Sequence, residues 1–318
     1  MKMTRRILGF EEFEERPPVL LDIGASGSLP QEWKILGPFS IYVGFDPDRR
    51  ELEAAYEAKR LFKKQHLLNS IVAEEKGIRK FYYTHSPFCS STLPPDREKL
   101  QDWSFAYLFE VTETAEIEAV TLPEVLSGLS LDYVDWFKAD SQGTDLRLFR
   151  SLGHLILQKV IVAEFEPGIM DAYVGEDKMH DVMAFMEGYP FWLSDLTIKG
   201  PQRISPRILK AHFGRLEQKA LHHLIKNSAF WGEMSYLNAY KGKEMLSKRN
   251  LLLGWIFSSL KGQHGFSLEL AQLGASLFDG SIFEDLKRDS IKSIRRNRWK
   301  LPFYVGRNFF RKTITGQA

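Results

Sequence analysis

Short apolar runs separated by helical stretches fill the first two-thirds of the chain, the pattern of successive β-α-β units. Val19–Ile23 (VLLDI), Ile41–Phe45 (IYVGF), 66–72, 133–138 (YVDWFK) and 160–165 (VIVAEF) read as strands. Several are apolar almost without interruption, which fits strands covered by helices on both faces. Residues 47–64, between the second and third, are charged and carry Leu52, Ala55, Tyr56 and Phe62 at roughly helical spacing. Residues 74–77 read as a turn, followed by a strand over 79–84 that extends the sheet region as a hairpin. The segment 86–96, rich in Pro, Ser and Thr, must be a loop. Crossover helices are predicted over 145–152 and 177–187, and a late strand over 191–198.

Beyond about Pro201 the period changes. Pro206 stands near the start of a pattern in which Leu209, Phe213, Leu216, Ala220 and Leu224 form a helical stripe. Further helices are predicted over 233–261, 267–278 and 282–298. The expected architecture is α/β: a Rossmann-like sheet with helices on both faces over residues 1–200, then an all-helical extension over 201–318.

Composition narrows the class. With 44% apolar and 26% charged residues among 318, the chain is ordinary globular material, not a disordered or collagen-like one. A single cysteine, Cys89, excludes an internal disulfide and a Cys-rich metal site. The longest strongly apolar run, 251–260, is about half the length a bilayer crossing needs. The N-terminal residues carry no apolar signal core. A cytoplasmic protein is therefore expected. The net charge of +2 hides an asymmetry: 22 Lys and Arg against 33 Asp and Glu through Lys199, then 21 against 8 from Gly200 onward. Either an acidic domain carries a basic cover, or the basic part is reserved for an anionic partner.

Candidate chemistry begins at residues 19–30, VLLDIGASGSLP. A buried strand ends in Asp22 and runs into Gly24, Ala25, Ser26 and Gly27, small residues that let the backbone approach a ligand. In doubly wound sheets this first turn lies at the carboxyl edge, where nucleotides bind. About twenty residues on, the second strand ends in Gly44-Phe45-Asp46-Pro47-Asp48, and an acid there can accept hydrogen bonds from both ribose hydroxyls of an adenosine. Alternatively, the glycines merely form the turn and Asp46 caps a helix. The G-x-G-x-x-G spacing of a dinucleotide site is missing. An Asp two residues before the first Gly suits a ligand with an amino group and no pyrophosphate, a description that fits S-adenosylmethionine.

Over 19–198 the chain resembles the FkbM family of S-adenosylmethionine-dependent methyltransferases. The resemblance rests on LLDIGASGSLP, VGFDPD, NSIVAEEKGIRKFYYTHSPFCSSTL, VTLPEVL, DYVDWFKADSQGTDLRLFRSLG and VIVAEFEPGIMDAYVG, in that order. Lys138-Ala139-Asp140-Ser141-Gln142-Gly143-Thr144-Asp145 matches the family's block at strand four closely. The first turn departs from it, with Ser26 in place of Asn and Gly27 before Ser28 where the last Gly is expected. The resemblance implies that Asp22, Gly24, Ala25, Ser26 and Gly27 line the methionine end of the cofactor. Asp46 would hold the ribose, Ser70 and its neighbours to Ala73 would border the adenine, and Asp140 would face the sulfonium. It further implies O-methylation of a sugar, glycan or natural-product hydroxyl.

A hydroxyl acceptor needs a base. Candidates at the carboxyl edge are Asp140, Glu164, Glu166 and His85; Asp140 with the two glutamates would also suit Mg²⁺. Asp140 has a plainer reading as a helix cap. After Glu284 the chain is dense in cations, among them Lys287, Arg288, Lys292, Arg295, Arg296, Arg298, Lys300, Arg307, Arg311 and Lys312, interleaved with aromatic residues. This composition suits peripheral contact with an anionic membrane or glycolipid, or a solvated helix face; no nucleic-acid motif accompanies it. The rival readings are a nicotinamide-dependent dehydrogenase and a non-catalytic scaffold with a binding tail.

Overall fold

Val19–Ile23 is buried at every position, and so is Ile41–Phe45, as strands with apolar residues on both faces must be. In a computed structural model, residues 2–25, 29–48 and 61–296 are described. The described strands are, in chain order, β1 (Val19–Ile23), β2 (Ile41–Phe45), β3 (Lys64–Leu68), β4 (Ile71–Val72), β5 (Gly77–Thr84), β6 (Val111–Val120), β7 (Trp136–Ala139), β8 (Val162–Phe165), β9 (Phe191–Lys199) and β10 (Trp231–Asn238). Seven of them form one sheet in the order β3-β2-β1-β7-β8-β10-β9. The pairs from β3 through β8 are parallel, and β10 is inserted antiparallel between β8 and β9. The fold is Rossmann-like, followed by a C-terminal helical region.

Helices flank both faces of this sheet. On one, Leu126, Phe149, Val182 and Met186 pack over Leu21, Val43, Phe137 and Phe165 in a continuous core. On the other, Trp33 from the helix Gln31–Leu36 stands edge-on to Tyr42 and Trp136, with centroids 6.0 and 5.9 Å away. A polar row crosses this second face, because strands in register put equivalent positions side by side: Asp22 lies opposite Lys138, Lys138 opposite Glu164, and Glu164 opposite Ser235. Gly44 opposes Asp22 from β2, and a Cβ there would lie 2.5 Å from the Tyr42 ring, so glycine makes room for that ring to reach Asp22.

Several elements differ from the sequence reading. The expected strand over 66–72 is two: β3 closes the edge of the main sheet, and β4 belongs to a second sheet, order β4-β6-β5. The strand expected over 79–84 joins that second sheet, paired antiparallel with β6, which the sequence reading did not anticipate. The stretch 233–261, expected as helix, begins instead as β10, whose Met234 and Tyr236 join the sheet core; helix runs only over Lys248–Leu260. The stripe from Leu209 to Leu224 is broken: extended backbone at Phe213 and Gly214 ends the helix Pro206–His212, and Leu216 and Leu224 are 82% and 59% exposed. The helix expected over 47–64 falls mostly outside the described residues, and β3 already begins at Lys64.

The boundary expected at Gly200 also moves. Glu11–Met245 form one compact unit, because β10 completes its sheet, and 2–10 with 246–296 form another. In the latter, the helices Lys248–Leu260, His264–Leu277 and Ile282–Arg296 pack in sequence. Gly274 admits the Phe283 ring, which a Cβ would strike at 2.2 Å. Trp255 Nε1 donates to Ser290 Oγ at 2.9 Å in the interior. Part of the basic surface is ion-paired: Lys287 with Glu284 at 3.0 Å, Arg6 with Asp285 at 2.9 Å, and Arg288 with Asp285. The cations from Arg298 on lie outside the described residues. No described helix is long and apolar enough to cross a membrane.

Candidate functional site

The chain leaves β1 through Gly24, in the left-handed region at φ +78°, where a Cβ would sit 2.1 Å from the Asp140 carbonyl oxygen. Glycine is thus required twice over, for conformation and for the approach of the turn after β7. Gly24 and Ala25 donate their N–H groups to Phe45 O at 3.0 and 2.9 Å, tying the tips of β1 and β2. Asp46, just past β2, is buried; its Oδ1 accepts the Asp48 N–H at 2.8 Å and its carbonyl accepts Asn69 Nδ2 at 2.8 Å. A cleft opens over these tips. Its polar wall holds Asp46, Asp48, Ser70 and Asp140, and its apolar wall Ile71, Val72 and Phe81 from the second sheet.

Asp22 and Asp46 stand at neighbouring tips of one edge, but Asp22 turns into the polar row. It accepts Tyr42 Oη at 2.8 Å and Lys138 Nζ at 3.3 Å, and it is not among the described residues lining the cleft. Burial works against the Lys138 ammonium, yet Asp22, Asp140, Glu166 and Glu164 outweigh it and hold the lysine charged. Burial raises Asp140, opposed by Lys138 and by the hydrogen bond from Gln142. Burial and the charge of Asp140 push Glu166 up to about 9, so it carries a proton at neutral pH.

The turn after β7 is fixed from several sides. Asp145, pushed up to about 7 by burial and Asp140, accepts the Ser141 N–H at 2.8 Å, Ser141 Oγ at 2.5 Å and the Glu166 N–H at 2.7 Å, stapling the β7 turn to the β8 tip. Gln142 adopts φ +58°, a conformation costly for a side chain of its kind. Its Nε2 donates to Asp140, its Oε1 accepts Tyr173 Oη at 2.9 Å, and its carbonyl accepts Ser91 Oγ at 2.7 Å. Beyond it lies a second chamber, walled by Phe105, Phe109, Tyr173, Phe230 and Trp231, with Asp140, Gln142, Glu166 and Glu176 as its polar groups. Asp140, Gln142 and the exposed Phe88 line both cavities.

Of the residues singled out from sequence, Gly24, Asp46, Ser70 and Asp140 line the cleft, and Asp140 and Glu166 line the chamber. Ala25 is fully buried behind the turn, and Ser26 and Gly27 lie outside the described residues. Glu164 belongs to the polar row, accepting Trp136 Nε1 at 2.8 Å and Ser235 Oγ at 3.3 Å, and borders neither cavity. His85 is exposed and directed against Tyr107, ring centroids 6.0 Å apart, also away from both. Burial pushes the Cys89 thiol up to about 11, which keeps it protonated and unreactive. Among the described residues no group of three His, Cys, Asp or Glu is arranged to hold a metal ion.

Sequence reasoning passed over Asp48, Gln142 and Tyr173 as site residues. All three stand inside motifs it quoted: Asp48 at the β2 tip, Gln142 in the strand-four block and Tyr173 in VIVAEFEPGIMDAYVG, which runs on from β8. No protein-family model matches the chain, and no curated protein matches it.

Proposed function

We propose that the chain is an S-adenosylmethionine-dependent methyltransferase that methylates an acceptor hydroxyl. The observation that carries this reading is the pair of adjoining cavities meeting at Asp140 and Gln142 on the tip of β7. The first fits an adenosyl ligand: Gly24 leaves backbone room at the turn, Asp46 offers a carboxylate for ribose hydroxyls, and Ile71, Val72 and Phe81 offer an apolar wall to a base. When bound, S-adenosylmethionine supplies a methyl group already activated by its sulfonium.

The protein then has to align an acceptor, exclude water and receive a proton. Phe105, Phe109 and Phe230 give the second chamber a dry wall, packed edge to face at 5.1 and 4.9 Å. Asp140 receives the hydroxyl proton, because it is the carboxylate that borders both cavities. Gln142, held by Tyr173 and Ser91, fixes the orientation of that carboxylate. A nicotinamide-dependent dehydrogenase fits less well: the turn lacks the dinucleotide spacing, and the inserted antiparallel β10 departs from the 3-2-1-4-5-6 order of the dinucleotide-binding sheet.

Calorimetric titration with S-adenosylhomocysteine and with NADH tests this. Saturable binding of the former is expected, weakened roughly 10- to 100-fold in Asp46→Ala by loss of hydrogen bonds to a charged acceptor. Tight NADH binding with none of S-adenosylhomocysteine overturns the reading.

A further inference from the structure

We infer that the second chamber selects its acceptor by charge, admitting an uncharged ring with a hydroxyl and rejecting one whose entering part bears a phosphate, a carboxylate or an ammonium. The inference rests on the methyltransferase reading and deepens it. Three observations support it. The wall is aromatic, and its rings are locked in contact: Phe105 against Phe230 at 4.9 Å and Phe109 against Tyr173 at 5.6 Å, with Trp103 backing Phe230 from outside the lining at 4.7 Å. Such a wall favours a flat apolar face. Among the described residues lining the chamber there is no Lys or Arg, so an entering anion meets carboxyl groups and no basic side chain in the lining.

The third is the balance of charge around β7. Glu176 is already matched by Lys178 at 2.6 Å. Lys138, bonded to Asp22 at 3.3 Å, offsets that carboxylate from inside the sheet. Asp140 borders the donor cleft, and the Lys138 charge and the cation of a bound methyl donor both act on its carboxylate. Glu166 holds its proton. With the donor bound the wall is therefore close to neutral, and it offers one carboxylate that accepts and one carboxyl that donates. A hydroxyl uses both. An ammonium gives up its hydration for an offset charge, and a carboxylate meets the repulsion of Asp140.

The test uses the full chain saturated with sinefungin, an analogue whose amine carries a positive charge in place of the sulfonium. 2-Phenylethanol, phenylacetate and 2-phenylethylamine are then titrated by ligand-observed NMR. The alcohol is expected to bind, with both ions at least about tenfold weaker, since a charge buried without a partner is strongly disfavoured. Phe105→Ala should weaken the alcohol and leave sinefungin affinity unchanged, placing the probe in the chamber. Phenylacetate binding as well as the alcohol, the amine binding better than it, or no alcohol binding while sinefungin is bound would each overturn the inference. Failure of sinefungin itself to bind would remove the methyl-donor reading beneath it.

Discussion

The two cavities share three residues and differ in almost everything else. The first cleft is built at strand tips, from one glycine turn, acids just past β2 and β7, and the short strand β4; its contacts depend heavily on backbone geometry. The second chamber is built from five separate segments, 86–89, 105–109, 140–143, 166–176 and 230–231, and its shape is a matter of ring packing. A backbone-defined site tolerates little change at its turns. A site defined by side chains can be re-cut for a new ligand without disturbing the sheet.

That contrast predicts an order of damage. Gly24→Ala should be worst: the added Cβ meets the Asp140 carbonyl and the φ is unfavourable. A loss of roughly 3 kcal/mol is expected, from overpacking plus left-handed strain, seen in urea unfolding together with loss of S-adenosylhomocysteine binding. Intact binding by this variant would show that the β1 turn does not shape the cleft. Asp140→Asn should follow, at the junction of the two sites: turnover falls by about 10²–10⁴, while cofactor affinity stays within about threefold. Equal losses in both would make Asp140 part of the donor cleft alone.

The smallest effect belongs to the chamber. Glu166 keeps its proton to about pH 9 in the folded protein, against a usual value of 4.5. Unfolding therefore releases a proton between those limits, and stability declines as pH rises through that window. Glu166→Gln removes the ionisation and should raise the melting temperature at pH 8 by roughly 2–4 °C, with little change at pH 4.5. An equal shift at both pH values would mean that packing, not titration, sets the effect.

The same contrast governs what could be read from the residues. Gly24 and Asp46, which line the first cleft, could be picked out because they stand beside apolar runs: Gly24 follows VLLDI and Asp46 follows IYVGF. Asp22 misled because a strand-end acid looks the same whether it faces a ligand or, as here, a lysine on the next strand. Glu164 and Glu166 do share a side, as the two-residue period requires, but only Glu166 lies past the tip. His85 was placed by its loop, and the pairing of its N–H with Glu110 O at 2.8 Å, which turns it outward, has no local signature. The chamber's aromatic wall was invisible for a related reason: its rings come from segments far apart in the chain, Phe105 and Phe109, Tyr173, and Phe230 beside β10.

That late return bears on how the polypeptide is made. At a synthesis rate of about 5–20 residues per second, β9 leaves the ribosome some seconds ahead of β10. Until then β8 has one bare flank and β9 has no neighbour at all. A piece ending near Gly200 keeps Gly24, Asp46 and Asp140 and still carries that bare flank, open to pairing with other nascent chains. Expression fragments meant to preserve the sheet-bearing unit should therefore run through Met245.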